Sequence, residues 1–441
     1  MQVEQQMREE WNRRAREDAH YYVAFGRHNQ DDEEFFDTAH EVIHGLEFEL
    51  KRFGDANRRA MRALEIGCGP GRLMKPLSRR FGEIHGVDVS DEMVALARKN
   101  LEGVAHAHVH RSRGADLGQF ADESFDFVYS YAVFQHIPDR EVVLSYLREA
   151  RRVLKTGGLL WFQVNGLPFP PLGGRVDTWS GVRFTASDLI GFANEHDFQI
   201  YILEGVHTQY MWTSLRKRPA GWVKELQVRK PETAAFVAGI SNPHSTDPAV
   251  PCAGRFACAS LWIENLHSEV GLNHLRVDIG GRWGTPNYIA NLHPAGRTQV
   301  NVLLPEEVAT GLIPVRVEWL GEWMGPEAVM RVRPASPMVP RLESVSDATD
   351  LLLGTRIRTR SVKAAFVELT DPGQVRMTLD GVRVDGILTH CVDPRKPQYD
   401  LVFRLPEWAA PGAHLLRIEA GKRVYPPVQL TVEEGEAAAP Y

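Results

Sequence analysis

The run Leu64, Glu65, Ile66, Gly67, Cys68, Gly69, Pro70, Gly71, followed by Gly86, Val87, Asp88, Val89, Ser90, constrains this chain more than any other feature. It spells a buried strand, a glycine turn, a helix start and a second strand ending in an acid about 20 residues beyond the first glycine. That is the layout of a nucleoside-binding α/β unit. One glycine turns the chain at φ values a side chain would forbid, and the others let backbone approach a ligand and helix approach strand. Asp88 adds two acceptor oxygens, which suit the paired hydroxyls of an unphosphorylated ribose. A tight turn without a ligand is the competing reading for the glycines alone, and Asp88 weighs against it. The expectation is an adenosine-type cofactor.

From Arg62 to about Arg216, apolar runs alternate with amphipathic ones. ALEIG, EIHGVDV, AHAHVH, FDFVYSYAV, GLLWFQV, FQIYILEGV and QYMWTSL read as strands, and 72–80, 92–100, 140–154 and 186–196 as helices. The alternation predicts a seven-stranded, mostly parallel sheet with helices on both faces, closing in an antiparallel hairpin. Ahead of it, residues 1–55 place Trp11, Tyr21, Tyr22, Phe25, Phe35, Phe36 and Phe48 among charges, as amphipathic cap helices would. Residues 217–247 mix charge, proline and small residues, which predicts a linker with at most one short helix. Beyond them lie short alternating runs spaced by turn residues. VNVLLPEEVATGLIPVRVEWLGEWMGPEAVMRV, from Val300, matches LVFRLPEWAAPGAHLLRIEAGKRVYPPVQLTV, from Leu401, in the order of its LP, glycines and alternating strands. A repeat of about 100 residues predicts two tandem immunoglobulin-like sandwiches, at 248–336 and 337–441, after an α/β domain at 56–216.

Composition narrows the partners. A net charge of −6 with acids and bases interspersed lacks the basic footprint of nucleic-acid binding. No stretch approaches the ~18 apolar residues of a membrane helix, and the charged first residues do not resemble a secretory signal. A cytoplasmic protein with no membrane partner is expected. The four cysteines, Cys68, Cys252, Cys258 and Cys391, form no CxxC pair and are expected as free thiols. His106, His108 and His110 alternate on one strand face, but their run brings no acidic or cysteine ligand and no supporting shell, so no metal is expected.

The order LEIGCGPGR, GVDVS, DESFDFVYSYAVFQHIPD, LREARRVLKTGGLLWFQV resembles the class I S-adenosylmethionine-dependent methyltransferases, in particular their small-molecule "type 11" group, over about residues 60–165. The resemblance implies a Rossmann-like fold and S-adenosylmethionine as cofactor. It places Glu65 under the methionine end, Gly67, Cys68, Gly69, Gly71 and Arg72 along it, Asp88 on the ribose, and Val89 and Met93 beside the adenine. Arg113 stands where the family more often has Asp or Asn near the adenine amino group, leaving that contact to Asp116, Leu117 or backbone groups. Asp126 is either a structural cap or a ligand contact, and Ser130 falls beneath the transferred methyl.

A methyl on a sulfonium needs an in-line nucleophile and exclusion of water, and a hydroxyl nucleophile also gains from a base. His136, just past the fourth strand, is the candidate base, with loop packing as its alternative. Tyr21 is a second catalytic candidate, closing over the site, and Tyr22, Gln163 and Asn165 are the candidate acceptor contacts. Acceptor choice is expected in the N-terminal helices and the loops from Leu167 to Val182. Trp262, Trp283, Trp319, Trp323 and Trp408 suit either sandwich cores or a sugar platform. The reading is methyl transfer to a small-molecule or sugar-like acceptor, with homo-oligomer, carbohydrate or protein contacts left to the sandwiches. The alternative is a non-catalytic cofactor-binding scaffold. A dehydrogenase is disfavoured because GCGPG lacks the further glycine of GxGxxG.

Overall fold

The computed structural model describes residues 2–24, 29–168, 176–178, 181–290, 296–349 and 353–434. They form two compact units. The first runs to residue 335 apart from the short segments 167–175 and 207–209, and the second is built on residues 336–441.

The first unit opens with helices α1 (Gln2–Ala24), α2 (Asp32–Asp37) and α3 (Ala39–Leu50). α1 is broken at Asp18, whose backbone is extended. Seven strands follow: β1 (Arg62–Ile66), β2 (Glu83–Asp88), β3 (Ala107–Arg111), β4 (Phe125–Ser130), β5 (Leu154–Val164), β6 (Phe198–Glu204) and β7 (Met211–Lys217). They lie in the order β3-β2-β1-β4-β5-β7-β6. The first five are parallel, and β7 inserts antiparallel between β5 and β6. Near-continuous burial of β1, β4 and β5 fits a sheet covered on both faces. Helices α4 (Met74–Leu77), α5 (Asp91–Asn100), α6 (Arg140–Val153) and α7 (Ala186–Glu195) connect the strands. α6 shows how they attach: Asp139 caps it by accepting from the amides of Glu141 and Val142, and Val143, Leu147, Ala150 and Val153 are fully buried on one stripe. The expected sheet, with its antiparallel hairpin, is present.

The stretch read as a linker holds α8 (Trp222–Arg229) and strand β8 (Phe236–Ser241). The strand escaped the sequence reading because its alternation is weak and interrupted by Gly239. Next come β9 (Val250–Pro251), β10 (Cys258–Glu264), β11 (Leu275–Ile279), β12 (Arg282–Ile289), β13 (Arg297–Leu303), β14 (Gly311–Trp319) and β15 (Glu322–Arg333). These strands continue the first sheet, because Tyr288 of β12 pairs antiparallel with Ile202 of β6. One apolar core runs from Met7 to Val332 without a break between the two regions.

The second unit has its own core and holds β16 (Arg341–Asp347), β17 (Arg356–Ile357), β18 (Ser361–Val367), β19 (Val375–Leu379), β20 (Val382–Arg383), β21 (Leu388–Asp393), β22 (Gln398–Arg404), β23 (Gly412–Ala420), β24 (Arg423–Val424) and β25 (Val428–Val432). β19 begins 100 residues after β11 and pairs with β23 as β11 pairs with β14. β17 runs parallel to β25 as β9 does to β15. Among the described residues no helix is long and apolar enough to cross a membrane, and all four cysteines are free thiols.

Candidate active site

The glycine turn sits where β1 ends. Gly67, Gly69 and Gly71 all hold left-handed φ values, +73°, +50° and +83°, which an L side chain takes only with strain. The amides of Gly67 and Cys68 donate to the Val87 carbonyl at 2.8 and 3.0 Å, and that of Gly69 donates to Asp88 Oδ2 at 2.9 Å. The other Asp88 oxygen accepts from the Ser90 amide at 2.9 Å. Turn and acid are therefore fixed as one piece, and each carboxylate oxygen keeps acceptor capacity. Burial raises the Asp88 carboxyl above its ordinary pKa, against amide donations from Ser90, Gly69 and Val89. Beneath the turn, Glu65 is buried and accepts from the Tyr129 hydroxyl at 2.9 Å. Burial pushes its pKa up to about 8. Arg72 is buried too, donating to the carbonyl and hydroxyl of Thr38 and lying over the Tyr131 ring at 5.2 Å, while its Nε has no partner.

Helix α1 lies across this edge of the sheet. Asn12 Oδ1 accepts from the Ser90 hydroxyl at 2.7 Å and from the Glu92 amide at 3.3 Å. Arg8 and Arg16 pair with Asp91 and Glu92 at the start of α5. Ala15, Ala19 and Val23 pack with Met93, and the Val23 side chain lies 3.4 Å from where a Cβ on Gly69 would stand. Arg14, itself buried, donates to the Thr178 carbonyl at 3.2 Å.

On the acceptor side, the Ser130 hydroxyl donates to the Ile66 carbonyl at 2.9 Å, tying β4 to β1. Buried Gln163, on β5, donates to Gln135 Oε1 at 2.5 Å, and the Gln135 amide reaches His136 Nε2 at 3.1 Å. The His136 ring meets Trp11 edge-on at 5.7 Å between centroids. Asn165 is buried at the end of β5, where its carbonyl accepts from Phe184. Tyr21 is buried against half-buried Tyr22, edge to face at 5.2 Å. In the loop from Leu167 to Val182, residues 169–175 and 179–180 lie outside the described residues, as does Phe25.

The adenine-side candidates divide. Arg113 is exposed, Asp116 accepts its own turn's Gly118 amide, and Leu117 is fully buried with its amide donated to Glu149. Asp126 accepts from Lys155 and from the Arg62 amide at the far end of the strand, the structural option of its two. Ser112, missed in the sequence, stands in the same region: its hydroxyl contacts the Tyr146 hydroxyl at 2.8 Å and accepts from the Gly114 amide. Asn12, Trp11, Gln135 and Tyr129 were also missed: Asn12 and Trp11 lie outside the four motifs, and Gln135 and Tyr129 lie within the third with nothing in its spacing to single them out. Of the five tryptophans, Trp319 is buried, Trp262 half-buried, and Trp283, Trp323 and Trp408 exposed.

Residues 64–162 match the family model of a methyltransferase domain. Phosphoethanolamine N-methyltransferase 2 of Caenorhabditis elegans is 34% identical over 136 residues, 30% of this chain and 30% of the relative. The ubiquinone biosynthesis O-methyltransferase of Cereibacter sphaeroides (strain KD131) is 35% identical over 100 residues, 23% of this chain and 39% of the relative. The chain thus spans between 30% and 39% of the length of these two relatives. A solved S-adenosylmethionine-dependent methyltransferase from Aquifex aeolicus is 20% identical, with a TM-score of 0.31, covering 38% of this chain and 87% of that one. Over residues 64–162 the chain is therefore similar to methyltransferase domains.

Proposed function

We propose that this protein methylates a small-molecule acceptor held at the carboxyl edge of the first sheet. The observation that carries the reading is the meeting, at one sheet edge under α1, of the glycine turn, Asp88 and the Gln163–Gln135–His136 chain. The residues present fit the cofactor. The left-handed glycines hold a tight turn with no side chain of its own at those three positions, Asp88 keeps lone pairs for two hydroxyls, and Arg72 has an unpartnered Nε beside the turn. Gly67, Cys68, Gly69, Gly71, Arg72 and Glu65 would hold the methionine end, Asp88 the ribose, and Val89 and Met93 the adenine, with Asp116, Leu117 or Ser112 beyond. When bound, S-adenosylmethionine supplies an electrophilic methyl on a sulfonium.

The rest of the chemistry falls to the chain's own side chains. His136 takes the acceptor's proton at a ring nitrogen, while Gln135, braced by Gln163, orients the imidazole. Ser130 fixes the floor between β1 and β4. Trp11, Tyr21 and Tyr22 on α1 exclude water, and Tyr22, Gln163 and Asn165 face the acceptor. The relatives' names support an amine or hydroxyl acceptor, one being an N- and the other an O-methyltransferase. We infer that the two strand-rich regions are immunoglobulin-like accessory modules. The exposed Trp283–Trp323 stack, 6.1 Å between centroids and flanked by Arg276 and Arg316, supports a sugar or protein contact in the first of them.

Calorimetric titration with S-adenosylmethionine tests the cofactor site. Asp88→Ala removes a charged acceptor of two hydrogen bonds, so affinity is expected to fall about 100-fold or more. Undiminished binding by the variant would overturn the assignment of the ribose site. Release of S-adenosylhomocysteine against a panel of amines and phenols then identifies the acceptor class.

A further inference from the structure

Pairing of β2 with β3 sets His85 beside His108, and Val87 beside His110. Glu83 and His85 on β2 share a sheet face with His108 and His110 on β3. The acidic ligand missing from the histidine run is thus supplied across the register. Glu83 Oε1 lies 3.4 Å from His85 Nε2 and 3.4 Å from His108 Nε2. One ligand atom from each of the three residues falls within 4.8 Å of the others.

The protonation pattern follows from one obligate donor. Arg62 Nη2 stands 3.1 Å from His85 Nε2. A guanidinium can only donate, so Nε2 carries a lone pair and the proton is on Nδ1. Nδ1 then donates to His110 Nε2, 3.1 Å away. His85 is a neutral imidazole whose far nitrogen is anchored by a neighbour, the arrangement by which supporting groups orient a metal-binding histidine. The same Nε2 also lies 3.4 Å from a carboxylate oxygen of Glu83. Such a lone-pair contact asks for a cation between the two atoms, and Arg62 now fills that need from one side.

We propose that Glu83, His85 and His108 bind a divalent transition cation of the zinc class, with His110 as the supporting hydrogen-bond partner of His85. Tetrahedral zinc with bonds of about 2.0–2.2 Å sets its ligand atoms about 3.4 Å apart, the separation found here on two edges. An imidazole-rich set with one carboxylate suits Zn²⁺, Co²⁺ or Ni²⁺ rather than Mg²⁺ or Ca²⁺. Access is open, since the His108 and Glu83 side chains are 41% and 35% exposed. Arg62 has to give up only His85, because its Nε holds Glu83 Oε2 and its Nη1 donates to the Ser124 carbonyl at 3.1 Å.

The test uses the full chain, freed of metal and titrated with Co²⁺, then with Zn²⁺ as competitor. One equivalent of Co²⁺ is expected to give the intense visible absorption of a tetrahedral centre, and Zn²⁺ to abolish it. His108→Ala and Glu83→Gln should each weaken binding by at least about tenfold, the lower end of what losing even a supporting partner costs. His106→Ala should leave it unchanged, because His106 Nε2 is turned to the Ser78 carbonyl at 2.9 Å. Absence of a tetrahedral spectrum, or parental affinity in His108→Ala and Glu83→Gln with unaltered circular dichroism, overturns the site.

Discussion

Glu65→Gln should stabilise the first unit by an amount that grows with pH. Glu65 is 3% exposed, and the Tyr129 hydroxyl donates to it. Burial raises its pKa from an ordinary 4.5 to about 8. Between these values the folded chain keeps a proton that the unfolded chain has released. Stability therefore falls as pH rises through this window and levels off above it. At 1.36 kcal/mol per unit, the loss is about 3 kcal/mol by pH 7 and about 5 kcal/mol above pH 8. Glutamine keeps the size and the acceptor for Tyr129 but cannot ionise. The variant should match the parent at pH 4.5, exceed it by about 3 kcal/mol at pH 7 and by about 5 kcal/mol at pH 9. Amide hydrogen exchange of β1 and β4 at the three pH values measures the difference. A constant difference across that range, or a variant less stable than the parent at pH 9, refutes the reasoning.

Gly67→Ala should cost about 2–4 kcal/mol, combining left-handed backbone strain with overpacking, because its Cβ would stand 2.4 Å from Val133 Cγ2; chemical denaturation of the variant reads it, and a neutral effect would mean that Val133 moves away freely. His136→Gln should lower kcat by about 10²–10⁴ while leaving the calorimetric affinity for S-adenosylmethionine intact; an unchanged rate would remove His136 as base and leave it a packing residue against Trp11.

The parts legible in the sequence were those written by local rules. The glycine turn follows from φ requirements, the parallel strands from unbroken apolar runs, and Asp88 from its place at a strand end. What stayed hidden needed distant pairings. Asn12 lies 78 residues from Ser90, the residue whose hydroxyl it accepts, and no spacing announces that α1 will cross the sheet edge. Gln135 reads as an ordinary turn residue until Gln163, 28 positions on, is seen to brace it. The histidine run shows no acidic neighbour along β3 itself, because Glu83 and His85 arrive through the register of β2. Arg62 was invisible for the same reason. β8 was missed because half-buried positions at a sheet margin do not alternate cleanly.

The pairing of Tyr288 with Ile202 has a consequence for how this protein avoids its own kind. β6 ends the order of the seven strands, and an outermost strand offers unpaired amides and carbonyls to any extended chain that approaches. Here that margin is occupied from within. Besides the β12 pairing, the Leu272 amide donates to the Ile200 carbonyl at 2.9 Å, and Gln199 donates to the Val270 carbonyl at 2.7 Å. The strands that follow the seven-stranded region thereby act as a built-in stopper, closing the margin along which copies of such a sheet could otherwise zip together.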